Sequence, residues 1–327
     1  MSIEPAERTL RFTIAPNSYN VIDTAWALSQ LNRRSYRQGM EYAFEKVELF
    51  QNQPSSAAEV NILRLPQGWV TANAWTKAYH AWKQQRDNAL ELSDTWDMRA
   101  KYSDFKVLYN LGHSTGNWAG GSANVFMPTP YGAFDLADAQ AIDADAGGQE
   151  WQYSEFIVPV GASGSQAYLG MMLGHNSGTN KGLIQAYAES RARPHPEDPS
   201  TVDPNAEIPG GLYAEMAPYP LDQMEEIMDA ATERNDSPPY VIGGTNSQYE
   251  FYLGGGQSPH SYYAGQYQDR LICTASSMLT TDATGPFTAY CGLLWIASES
   301  EDSVTIQVTL AAGNYRGVAA RPMEDVN

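Results

Sequence analysis

The stretch from Glu59 to Leu92, EVNILRLPQGWVTANAWTKAYHAWKQQRDNALEL, constrains the fold most, because it passes from strand code to helix code at one turn. Val60, Ile62 and Leu65 are the apolar markers of a strand, and Pro66 and Gly68 break it. From Thr71, a good N-cap residue, apolar side chains recur at Ala72, Trp75, Tyr79, Trp82, Ala89 and Leu90, which lie along one face of a helix. A short strand feeding an aromatic-rich helix, inside a chain otherwise full of alternating segments and Gly/Pro turns, predicts a β architecture carrying an inserted helix.

The alternating segments are spread over the chain. TLRFTIA at 9–15 puts Leu10, Phe12 and Ile14 on one face; strands are also expected at 42–50, 104–111, 155–160, 167–173, 270–276, 287–297 and 303–310. Short helices are expected at 22–31, with Asp23 or Thr24 near its start, and at 183–190, and a longer one at 221–234. At 327 residues the chain can bury a large core, and with no 20- to 50-residue repeat the expectation is one elaborated domain over 1–327. Its insertions are the helix at about 71–92 and a loop-and-helix region at about 175–266. Cys273 and Cys291 make no disulfide framework; of a single bridge and two reduced core thiols, the thiols are the better default. No basic-then-apolar leader and no membrane-spanning apolar run stands out, so a soluble protein made in the cytoplasm is expected.

Charge is distributed unevenly. Of the net −18, residues 1–110 contribute 13 Lys/Arg against 12 Asp/Glu, and the remaining residues 7 against 26. Phosphate binding needs Lys and Arg, so any nucleic-acid contact falls to the first third, where Arg33, Arg34 and Arg37 cluster. The acidic 131–250 region, with 19 Asp/Glu against 4 Lys/Arg, suits an exterior.

Three motifs carry possible chemistry. Gly112-His113-Ser114-Thr115-Gly116 matches G-x-S-x-G after an expected strand, yet a nucleophile elbow needs a helix next, and NWAGGSANVFMPTP reads as one of the least helical stretches of the sequence. A serine hydrolase is therefore the third-ranked reading. Asp143, Asp145, Gly147 and Gly148 imitate the start of a calcium loop, but Ser154 occupies the position that needs a bidentate Glu. No cofactor is expected beyond a weak surface divalent cation between acidic loops. Tyr249, Phe251, Tyr252, Tyr262, Tyr263 and Tyr267 sit among Gly, Ser, Gln and Asn, a surface suited to sugars or another protein. They support a carbohydrate-binding or host-attachment module as the alternative function.

The segments LPQGWVTANAWTKAYHAWKQQRDNAL at 65–90, DFKVLYNLGHS at 104–114, LIQAYAESR at 183–191, and CGLLWIASES with VTIQVTLAAGNYRG at 291–317 resemble capsid proteins of small circular, Rep-encoding single-stranded DNA viruses known mostly from environmental sequences. The resemblance implies an all-β fold: an antiparallel eight-stranded jelly-roll sandwich with inserted helices and long loops. It implies a non-enzymatic coat protein, made in the host cytoplasm and resident in the virion, that self-assembles into an icosahedral shell around single-stranded DNA. Its partners would be further copies of itself, single-stranded DNA and an unknown host surface receptor, with no membrane. Such capsids usually open with an Arg/Lys-rich arm, whereas this chain opens MSIEPAERTL. The expectation is then either genome neutralisation by cations or polyamines and by Arg8, Arg11, Arg33, Arg34 and Arg37, or a shell that assembles with little help from DNA. Trp75, Tyr79 and Trp82 on the helix, with Tyr315 and Arg316 near the end, are expected packing or interface positions.

Overall fold

The computed structural model describes residues 6–51, 56–92, 104–115, 151–159, 165–174, 180–192, 265–275 and 280–326. They are mostly strand, with few helices. One antiparallel sheet runs β1 (Thr9–Ile14), β12 (Val304–Leu310), β3 (Met40–Gln51), β10 (Phe287–Ala289), with β9 (Thr280–Ala283) and β15 (Ala320–Pro322) also pairing with β3. A second antiparallel sheet runs β2 (Tyr19–Asp23), β11 (Leu293–Ser298), β4 (Ala58–Arg64), β8 (Gln266–Cys273). Between β4 and β8 the chain forms α2 (Trp69–Leu92), the short α3 (Leu111–Thr115), a small sheet of β5 (Glu155–Pro159), β6 (Ser165–Met171) and β7 (Asn180–Gly182), and α4 (Leu183–Ala192). Helix α1 (Thr24–Asn32) joins β2 to β3, and β13 (Ala312–Gly313) pairs with β14 (Gly317–Val318) beyond β12.

Side-chain alternation explains the first sheet. Leu10, Phe12 and Ile14 of β1, Val47 and Leu49 of β3, and Val304, Ile306, Val308 and Leu310 of β12 point inward. They meet Ile22, Val60, Ile62, Leu294 and Ile296 of the second sheet in one core. Each fully buried Val, Leu, Ile or Phe there contributes about 1.5–3 kcal/mol relative to exposure.

The second sheet is apolar on both faces. Its other face offers Val21, Leu293, Trp295 and Ala297, which join Trp75 of α2, Phe105, Tyr109, Phe156 and Leu183 in a second core. Tyr109 stacks on Trp295 with ring centroids 5.7 Å apart. The chain between β4 and β8 therefore forms a third layer over this sheet. That is why every residue of β11, LLWIAS, is buried.

Several expected elements take different forms. The 287–297 segment is not one strand: Cys291 (φ 57°) and Gly292 (φ 63°) turn the chain between β10 and β11, moving it from one sheet to the other. The 104–111 segment makes only an isolated parallel bridge, Leu108 to Met171, because much of its hydrogen bonding goes to side chains. Helix α2 begins at Trp69, so Thr71 is buried within the first turn rather than capping it. Ile22 lies in β2, which was not anticipated, and Asp23 caps α1 by accepting the Trp26 N–H at 3.1 Å. The expected helix at 221–234, the calcium-like Asp143 and Asp145, and the aromatics from Tyr249 to Tyr263 lie outside the described residues.

The two ends of the sandwich differ. At one end the short connections meet: Asn17 N–H donates to Ser300 O at 2.9 Å and Ser56 N–H to Asp302 Oδ2 at 3.3 Å. At the other end Asp23, the 290–292 turn and the segment that follows β3 backwards to α1 adjoin residues 104–113 and 151–154.

Candidate functional site

Residues far apart in sequence build one basic corner. Helix α1 ends where Arg33 adopts a left-handed conformation (φ 51°, ψ 39°). Asn32 fixes this end against the segment before β1: its Nδ2 donates to Glu7 O at 3.0 Å and its Oδ1 accepts the Glu7 N–H at 2.8 Å. Tyr36, fully buried, donates its backbone N–H to Ser29 Oγ at 2.8 Å and its hydroxyl to Arg316 O at 2.9 Å. The Tyr315 hydroxyl accepts the Arg37 N–H at 2.9 Å, and the Tyr315 ring meets Tyr36 edge-on at 6.0 Å. Arg316, itself left-handed (φ 50°), donates Nη1 to Ser35 O. Gly317 follows at φ 95°, where an added Cβ would come within 2.6 Å of Ala6 Cβ.

The five arginines singled out from the sequence therefore divide. Arg8 donates to Leu310 O at 2.8 Å and faces Glu45 at 3.8 Å. Arg11 lies exposed on the outer face of the first sheet and donates to Gln307 Oε1 at 3.1 Å. Arg37 is neutralised by Asp104, with Nε to Oδ1 at 3.1 Å; burial lowers its pKa, Asp104 raises it, and the net effect is a rise. Arg33 and Arg34 are exposed and make no ion pair among the described residues. Arg34 and Arg316 both lie close enough to Tyr36 to favour its phenolate, although burial dominates and raises its pKa.

The aromatic face of α2 packs against Phe105. Trp75 is 2% exposed and stacks on Tyr79 at 5.3 Å, while Phe105 contacts Trp75, Tyr79 and Trp82 at 5.6, 5.9 and 5.5 Å. Trp82 is half-buried under the Arg86 guanidinium, 4.7 Å from its ring. Gly39 permits the approach of Trp75, since an added Cβ would meet Trp75 Cζ2 at 2.7 Å.

A buried polar chain links this layer to the sandwich. Gln38 accepts the Val107 N–H at 2.6 Å and donates to Val107 O at 3.0 Å and to Asp23 Oδ2 at 2.9 Å. Trp151 Nε1 and the Tyr153 hydroxyl also reach Asp23 Oδ2, at 3.2 and 3.3 Å. His113 accepts the Tyr109 N–H at Nδ1 (3.0 Å), which leaves the proton on Nε2 to donate to the Tyr153 oxygen at 3.1 Å. Burial pushes Asp23 up to about 6, offset in part by these donors, and pushes His113 down to about 3. His113 belongs to the G-x-S-x-G match, yet both its ring nitrogens serve this chain, and Leu111–Thr115 is a short helix rather than a strand-to-helix elbow.

Cys273 and Cys291 are both free and buried. Among the described residues no group of three His, Cys, Asp or Glu side chains is placed to hold a metal ion, and no helix is long and apolar enough to cross a membrane. Sequence reasoning missed Gln38, Trp151 and Tyr153, whose partners stand up to 130 residues away with no shared spacing. Comparison with known protein families, with curated proteins and with solved structures returns no match.

Proposed function

We propose that this chain is a coat protein whose two main sheets are the halves of an eight-stranded jelly roll, and whose copies close into an icosahedral shell around single-stranded DNA. The observation that carries the reading is the strand order. With β9 and β10 taken as one interrupted strand and the three-residue β15 set aside, the strands of the two sheets are eight: β1, β2, β3, β4, β8, β9/β10, β11 and β12 in chain order. The first, eighth, third and sixth are neighbours in one sheet, and the second, seventh, fourth and fifth in the other. Two interleaved Greek keys give that order, an arrangement shared by viral coat domains and lectins. The sequence resemblance, which runs through α2, residues 104–114 and β11 to β14, favours the coat protein. In this reading the protein is made in the host cytoplasm and resides in the virion, without enzymatic activity or a membrane partner.

A carbohydrate-binding or host-attachment module of the same fold is the second reading, favoured by Tyr267, 56% exposed on β8 at the edge of its sheet. Sedimentation of the purified protein separates the two. A closed shell of about 60 copies or a multiple, each of 36.0 kDa, gives a particle of about 2 MDa or more, visible in negative stain. Protein that stays monomeric across a range of salt, pH and divalent cation overturns the coat-protein reading.

A further inference from the structure

We propose that Arg33, Arg34 and Arg316 form one site that holds the phosphodiester backbone of single-stranded DNA without reading its bases. The inference rests on the coat-protein reading for the source of the strand, and it revises which arginines meet it. Arg316 arrives from the β13–β14 turn, and its guanidinium lies on the carbonyl of Ser35, directly after Arg34. Arg34 and Arg316 also share an electrostatic neighbour in the Tyr36 hydroxyl. Arg33 is adjacent to Arg34, and the left-handed backbone at Arg33 and Arg316 ends both approaches in tight turns.

These three exposed guanidinium groups carry no carboxylate partner among the described residues, whereas Arg37 has Asp104 and Arg8 faces Glu45. Among the described residues Glu7 and Asp104 adjoin this corner, and both are engaged elsewhere: the Glu7 carboxylate accepts the Thr9 N–H at 3.1 Å and Asp104 pairs with Arg37. The result is a local positive site on a chain of net charge −18, which focuses a polyanion onto this corner. The rings that could stack on bases are occupied: Tyr36 is fully buried, and Tyr315 packs edge-on against Tyr36 and Tyr42. Contact with phosphate alone makes binding sequence-independent.

The test measures the affinity of a fluorescent mixed-sequence oligonucleotide for full-length protein from 50 to 200 mM salt. Each phosphate contact on a single strand contributes about 0.7 to the slope of log affinity against log salt, so R33A/R34A/R316A loses about 2 units of slope. Wild-type affinity then falls about 20-fold more than that of the variant over this range. The R33K/R34K/R316K variant keeps the slope, because charge rather than fork geometry carries it, and R270A, which loses a cation paired with Glu59, leaves it unchanged. Arg316 also supports Ser35, so R33A/R34A is the variant to use if the triple change disturbs folding; it loses about 1.4 units. An unchanged slope in the folded Ala variants overturns the proposal. So does a slope loss seen with a sulfated polysaccharide and not with the oligonucleotide, or a strong preference for one base composition. Light scattering on the same samples reports assembly separately: a protein that never assembles yet loses slope keeps this site and removes the shell.

Discussion

Asp23 and His113 titrate in opposite senses, and together they predict a stability that hides its own pH dependence. Asp23 is raised from 3.8 to about 6 in the folded protein. At 1.36 kcal/mol per unit, the protonated acid therefore adds about 3 kcal/mol of stability, fully present below pH 3.8 and lost as pH rises through about 6. His113 is lowered from 6.5 to about 3. Its neutral burial is worth about 5 kcal/mol, fully present above pH 6.5 and lost as pH falls toward 3. Between pH 4 and 6 the folded protein holds its extra proton on Asp23 and the unfolded chain holds one on His113, so the two slopes cancel. Lys106, Tyr42 and Cys291 also face Asp23 electrostatically, but they are common to all variants and drop out of differences. In urea unfolding, D23N exposes the histidine slope and becomes less stable relative to wild type by about 1.4 kcal/mol for each unit of falling pH. H113Q exposes the aspartate slope and gains the same amount per unit over the same range. H113Q is less stable than wild type at pH 7, through the hydrogen bonds it removes. Difference curves that are flat, or slopes of the same sign in both variants, refute the assignment.

Three further outcomes follow from packing. Trp75→Ala, at a 2% exposed site stacked on Tyr79 and Phe105, costs about 3–5 kcal/mol in chemical denaturation, whereas the half-buried Trp82→Ala costs less than half of that. Gly292→Ala costs about 2–4 kcal/mol, because φ is +63° and the new Cβ meets Tyr42 Cδ2 at 2.8 Å; a thermal midpoint equal to wild type contradicts this. Gln38→Ala leaves the Val107 N–H without its acceptor and weakens the anchor of residues 104–110, which speeds amide exchange at Val107 ahead of Phe12 or Ile306 in the first core.

What the sequence disclosed depended on how many faces an element buries. β1 and β12 bury one face of each strand, so TLRFTI and VTIQVTL alternate and their positions are legible. β11 is covered on both faces, so its run of apolar residues merges with β10 and the turn at Cys291 and Gly292 disappears into it. β2 has four buried residues in five and no alternation for the same reason. The helix face of Trp75, Tyr79 and Trp82 could be read from spacing, but its partner Phe105 could not, since that contact is tertiary. The basic corner was half legible: Arg33, Arg34 and Arg37 are sequence neighbours. The Asp104 that neutralises Arg37 and the Arg316 that joins Arg34 come from distant segments.

The pairing of β1 with β12 sets a schedule for synthesis. Thr9 pairs with Thr309 and Ile14 with Val304, so β1 leaves the ribosome about 300 residues ahead of its sheet partner. At about 5–20 residues per second, the edge carrying Leu10, Phe12 and Ile14 stays open for roughly 15–60 s. During that wait the β1 edge that later meets β12 can pair with a strand of another nascent copy, an aggregation route that the docking of β12 closes. Slower elongation lengthens the exposure, so yield of soluble protein is expected to track translation rate as closely as it tracks the stability of the completed sandwich.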